Sequence, residues 1–139
     1  MRGIAVRMSE IVRIDSRGRV VMPSSIRDAL GLREGMYVML VADLERKDIR
    51  IVPFADPEAK LAELQITLRD APGALARVAA VLANNRVDLL STESRTLKRG
   101  ESAEWHAIAD VSKCECKLDE LKSRIKREGA AIEANFQNF

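Results

Sequence analysis

The sequence predicts an α+β protein made of two small domains: short strands around one helix in front, alternating strands and helices behind. Three observations support this division. The stretch ADPEAK (55–60), with its proline and charges, separates two regions of apolar patterning. Ahead of it, short apolar runs are punctuated by glycine and proline. Behind it, the hydrophobic spacing changes from strand alternation to helical periodicity and back. The expected domains are 9–54 and 61–139, with 55–60 as linker.

In the front domain, EIVRI (10–14) and RVVM (19–22) read as two strands joined by the turn DSRG. Pro23 stands where a first helical residue belongs and Gly31 where a helix should stop. Between them Ile26, Ala29 and Leu30 share one helical face, and Leu32 is placed to fold back on it. MYVMLVA (36–42) is apolar throughout, which predicts burial on both faces. DIRIVPF (48–54) returns after the charged turn DLERK. A unit of about 45 residues buries too little surface to stand alone without metal, disulfide or partner. An intertwined dimer is therefore expected.

In the back domain, LAELQITLR alternates, with Ala62, Leu64, Ile66 and Leu68 on one face. GALARVAAVLANN then takes helical spacing, aligning Leu75, Val78, Ala79 and Leu82. VDLLSTESRTL and AEWHAIADV read as strands around a KRGES turn. KLDELKSRIKRE is an amphipathic helix through Leu118, Leu121 and Ile125, with Gly129 as its cap, and AAIEANF closes as a strand. Strand, helix, strand, strand, helix, strand is the ferredoxin-like βαββαβ order.

Charge is distributed unevenly. Residues 1–27 carry six arginines (Arg2, Arg7, Arg13, Arg17, Arg19 and Arg27) against Glu10 and Asp15, whereas residues 56–139 carry 13 basic and 14 acidic side chains. A basic front end suits a polyanionic partner. The opening MRGIAVRMSE has no apolar h-region, and no apolar run is long enough for a membrane span, so a cytoplasmic protein is expected. Cys114, Cys116 and the single His106 are too few for a four-ligand zinc site, and the cysteines read as reduced thiols; no metal or cofactor is expected. His106 has no sequence neighbour to orient it as a base, and no nucleophile motif is present, so no catalytic residue is assigned and the chain is not read as an enzyme. Trp105 shares its strand face with Ala107, Ala109 and Val111 and reads as a packing or sheet-interface residue.

The segment DSRGRVVMPSSIRDALGLREG (15–35) resembles the SpoVT/AbrB family of swapped-hairpin DNA-binding proteins through Gly18, Arg19, Pro23, Ile26, Arg27, Leu30, Gly31 and Gly35. The resemblance implies a dimeric swapped-hairpin β-barrel and arginines that contact double-stranded DNA. Carried over by position, these are Arg13, Arg19 and Arg27. Asp28 departs from the pattern, and Arg17 in the turn supplies a substitute charge. Independently of the family, Arg13 and Arg19 flank one turn and a two-fold dimer doubles the set, giving guanidiniums suited to phosphates and guanine edges.

The segment RDAPGALARVAAVLANNRVDLLS (69–91) resembles the ACT domain, a regulatory module that often binds amino acids, through Asp70, Pro72, Gly73 and Leu75. The resemblance implies an amino acid or other small effector held against the turn at Asp70, Ala71, Pro72, Gly73, Ala74 and Leu75. Asp88 stands where many members place asparagine. A helix start offers free amides and a positive dipole end to a carboxylate, and Asp70 could accept an ammonium group. The alternative is that Pro72 and Gly73 only shape a turn and Asp70 only caps the helix.

Together these readings describe a DNA-binding transcriptional regulator, a homodimer or higher homo-oligomer, whose back domain senses a small metabolite and modulates DNA binding. One alternative is an antitoxin-type regulator that binds both DNA and protein. Another is a regulatory subunit that acts through oligomerisation without ligand. Antitoxin tails are usually disordered and acidic, which the periodicity of 60–139 opposes.

Overall fold

A computed structural model describes residues 7–139. Arg2, part of the basic front end, lies outside the described residues. The described residues form three helices and six strands in two antiparallel sheets, an α+β protein. The chain divides into two compact units, Met1–Pro57 and Glu58–Phe139, at a boundary within the 55–60 stretch.

The first unit contains α1 (Ser24–Leu30) and the hairpin of β1 (Tyr37–Asp43) with β2 (Asp48–Ala55). Pro23 is the residue before α1, at φ −58° and ψ 145°, one place outside the first helical position expected for it. Gly31 closes the helix at φ 68°. The Leu32 amide donates to the Arg27 carbonyl at 2.9 Å and the Gly31 amide to Asp28 at 3.3 Å, the two bonds of a Schellman stop.

Three expectations for this unit are corrected. Residues 10–14 and 19–22 form no strands. The Asp15 amide bonds the Arg19 carbonyl at 3.0 Å, but no backbone bond beyond it joins the two arms among the described residues. A strand needs a ladder partner, and among the described residues these arms have none. The apolar 36–42 run is not buried: Val38 is 40% and Leu40 60% exposed, because the described residues of this unit put no second layer on the two-stranded sheet. Nor is the α1 face covered: Leu30 is exposed and Ile26 only half-buried. Among the described residues up to Pro57, none is buried.

The second unit has a core. It comprises β3 (Leu61–Arg69), α2 (Ala74–Asn84), β4 (Asp88–Lys98), β5 (Ser102–Asp110), α3 (Leu118–Arg127) and β6 (Ala131–Asn138). The sheet order is β4-β5-β3-β6, antiparallel throughout. Ala62, Leu64, Ile66 and Leu68 of β3 are buried, and they pack with Trp105, Ala107 and Ala109 of β5, Val78 and Leu82 of α2, and Leu121 and Ile125 of α3. The buried face of α2 is Ala74, Val78, Val81 and Leu82; Leu75 is exposed and Ala79 half-buried, a rotation from the expected face. Gly129 does not cap α3, which ends at Arg127 with Glu128 as its C-cap. A Cβ at Gly129 would lie 2.6 Å from the Ile125 carbonyl oxygen and 3.2 Å from Val78 Cγ2, so glycine is needed there for close approach of backbone and helix.

Candidate functional site

The arginine-bearing turn is organised by one carboxylate. Asp15 Oδ1 accepts the amides of Arg17 (2.8 Å) and Arg19 (2.9 Å), and Oδ2 accepts Arg19 Nε at 2.8 Å. Aspartate suits this place because its short side chain reaches amides two to four residues ahead. Gly18 takes φ 76° and donates its amide to the Asp15 carbonyl at 3.1 Å, closing the loop. The Arg19 amide, then the Arg19 guanidinium and then the Arg17 amide hold the Asp15 carboxyl below its ordinary value of 3.8. Arg27 Nε donates to the Met22 carbonyl at 3.0 Å, which anchors that side chain against the segment entering α1. The structure thus gathers Arg17 and Arg19 on one turn and fixes Arg27 at α1; Arg13 is exposed on the arm before the turn.

The second candidate region is split. The 70–75 turn leads from β3 into α2, with Gly73 at φ 81° as the residue before the helix and no side-chain cap on it. Asp70 therefore does not cap α2. Its Oδ2 accepts the Gly100 amide at 2.7 Å, and its own amide donates to Glu101, tying β3 to the β4–β5 turn. One Asp70 oxygen is thus already engaged. The Ala74 amide is spent on the Ala71 carbonyl at 3.2 Å, while those of Leu75 and Ala76 have no backbone partner among the described residues. Asp88 is elsewhere. It pairs with Asp110 at the far end of β5, whereas Arg69 pairs with Ser102 at the near end. Nine strand residues place the two ends roughly 26 Å apart, so one chain does not bring Asp88 to the turn.

A cavity of about 220 Å³ opens beside the turn, where Asp70, Ala71, Ala74 and Leu75 meet Arg69, Arg95 and Glu104. Arg95 and Glu104 are cross-strand partners, joined at 3.4 Å. Neither residue carries a local sequence signal, because the register that pairs β4 with β5 is set across the sheet. His106 bonds Glu63 Oε1 through Nε2 at 2.6 Å on the same sheet, and Trp105 is buried in the core. Among the described residues no cluster of three or more His, Cys, Asp or Glu could hold a metal ion, and no helix is long and apolar enough to cross a membrane.

No family model matches the chain. No curated protein matches it either. Among solved structures, it is similar to the C-terminal domain of the MgtC protein from Mycobacterium tuberculosis, at 14% identity over 60% of this chain and 92% of that one, with a TM-score of 0.46. These findings correct the family assignment: the neighbour found is an MgtC C-terminal domain, and neither a SpoVT/AbrB nor an ACT model matches. The motifs behind both resemblances are local backbone devices. A proline before a helix, a glycine after it and an Asp-x-Pro-Gly turn answer to φ/ψ needs that recur in unrelated folds.

Proposed function

We propose that the protein is a DNA-binding transcriptional regulator, active as a homodimer or larger homo-oligomer, whose second unit senses a small metabolite. The observation that carries this reading is the coreless first unit. Its apolar residues, Ile11, Ile14, Val21, Leu30 and Leu40, are all exposed in the single chain, and its 10–14 and 19–22 arms have no ladder partners among the described residues. A second copy would supply both deficiencies at once, interleaving the arms into one barrel-like sheet with a shared core. The dimer would then carry two copies of Arg13, Arg17, Arg19 and Arg27. Guanidiniums held by a carboxylate and a carbonyl are preordered for phosphate oxygens and guanine edges of double-stranded DNA.

In the second unit, the cavity beside the 70–75 turn offers both charge signs, Arg69 and Arg95 against Asp70 and Glu104, and is lined by Leu75, whose amide has no backbone partner among the described residues. That combination suits a zwitterion such as an amino acid. Such a ligand regulates only if it binds one global state better than another. The test is calorimetric titration of the common amino acids with and without bound DNA. A coupling of roughly 5–150-fold, reciprocal between ligand and DNA, is expected. Identical ligand affinity in both states, or no binding below about millimolar, would leave the second unit without a sensing role.

A further inference from the structure

Cys114 and Cys116 are the only cysteines of the chain, and the fold brings their sulfurs to 3.4 Å. They lie in the connection between β5 and α3, where the Cys114 amide donates to the Val111 carbonyl at 3.1 Å and the chain bends at Cys116. Cys114 Sγ also points at the Cys116 carbonyl at 3.4 Å. Both side chains are half-buried against the core of the second unit, each keeping part of its surface exposed. Cys116 Sγ faces Asn85 Oδ1 at 4.0 Å, and the same oxygen takes a hydrogen bond from Arg124. Cys116 thus borders a cavity of about 280 Å³ that also includes Glu115, Glu120 and Arg124. None of these residues belongs to the DNA or ligand regions described above.

We propose that Cys114 and Cys116 form a reversible dithiol–disulfide couple that exchanges with low-molecular-weight disulfides. Two residues of chain span at most about 7 Å, so closing the S–S bond needs only a local tightening of the bend. Burial and the neighbouring Cys114 thiol raise the Cys116 thiol, which therefore keeps its proton, leaving Cys114 as the attacking group. The Cys114 thiolate attacks one sulfur of the small disulfide, whose S–S bond breaks and releases one thiolate that takes up a proton. Cys116 then gives up its proton and displaces the second small thiol. The net change is two protein thiols and one small disulfide going to one protein disulfide and two small thiols; the protein is oxidised and the small disulfide reduced. Closing so short a loop removes little chain entropy, which makes the bond easily reduced rather than structural. The closed form draws Cys116 toward Cys114 and away from Asn85, at the junction of α2 and α3.

The test exposes the full-length protein to mixtures of reduced and oxidised glutathione, followed by alkylation and intact-mass measurement. The expected result is coordinated loss of both alkylatable thiols with loss of two hydrogens and no added glutathione, reversed by a dithiol reductant. The Cys116→Ser variant should instead stop at a stable glutathione adduct on Cys114. Retention of both thiols in the wild type at the most oxidising ratio would overturn the proposal. So would disulfides formed only between chains, or single adducts persisting on the wild type. Circular dichroism of the Cys116→Ser protein matching wild type ensures that the adduct is read on a folded chain.

Discussion

Asp15 and Arg19 are joined twice over: one carboxylate oxygen holds the Arg19 amide at 2.9 Å and the other its guanidinium at 2.8 Å. The bidentate grip sets both the backbone of the turn and the direction of its most constrained cation. Its consequence is a pH dependence of known sign. The Asp15 carboxyl is depressed in the folded chain, so its contribution is fully present above its ordinary value of 3.8 and is lost as pH falls through the lower folded value. Amide NMR of Arg17 and Arg19 across acid pH should show both resonances moving together below that value. In Asp15→Asn the transition should be absent; if it persists there, another group drives it.

Substitution of the arginines separates base reading from phosphate contact. Arg19→Ala or Arg27→Ala should weaken binding to a preferred DNA site by on the order of 1–3 kcal/mol where a base is read. A pure phosphate contact should weaken all sequences alike and lower the salt slope by about one. Lys122→Ala, on α3 of the second unit, should change little. Equal binding by wild type and an Arg13/Arg19/Arg27 triple alanine variant would remove DNA from the proposed function.

The exposed apolar face of the first unit makes a prediction about assembly. Leu40 lies on β1 at 60% exposure in the single chain. If a second copy covers it, Leu40→Asp should shift the sedimentation-equilibrium mass from dimer or larger toward monomer at micromolar concentration. It should leave the thermal transition of the second unit nearly unchanged. An unaltered assembly would show that this face is not the one joined.

Gly129 tests the second unit alone. A Cβ there meets the Ile125 carbonyl oxygen at 2.6 Å, and backbone cannot swing aside as a side chain can. Gly129→Ala should therefore destabilise the unit by about 1–3 kcal/mol in urea denaturation. Leu64→Ala, which empties a fully buried site, should cost about 2–5 kcal/mol in the same experiment.

The two candidate regions were legible to different depths. The Arg17–Arg19 turn was readable because Asp15, Gly18 and the arginines all lie within five residues. The ligand region was only partly readable. Asp70 meets Gly100 across 30 residues, Arg95 meets Glu104 through strand register, and Asp88 falls at the other end of the sheet. None of these relations leaves a mark on the local pattern. The family motifs misled for the same reason, since they report turn and cap chemistry rather than the fold around it.

The sequence by itself determined the α+β class, the order of elements after residue 60, the alternation that buries Ala62, Leu64, Ile66 and Leu68, and the punctuation of α1 by Pro23 and Gly31. These follow from backbone preference and hydrophobic period, which act over a few residues. Tertiary structure decided the rest: that 10–14 and 19–22 stay unpaired in one chain, that the 36–42 run lies uncovered, that α2 turns Val81 inward, and that Cys114 and Cys116 face each other. Each depends on which distant surface is present to pack or pair against, and the described residues supply that surface to the second unit but not to the first.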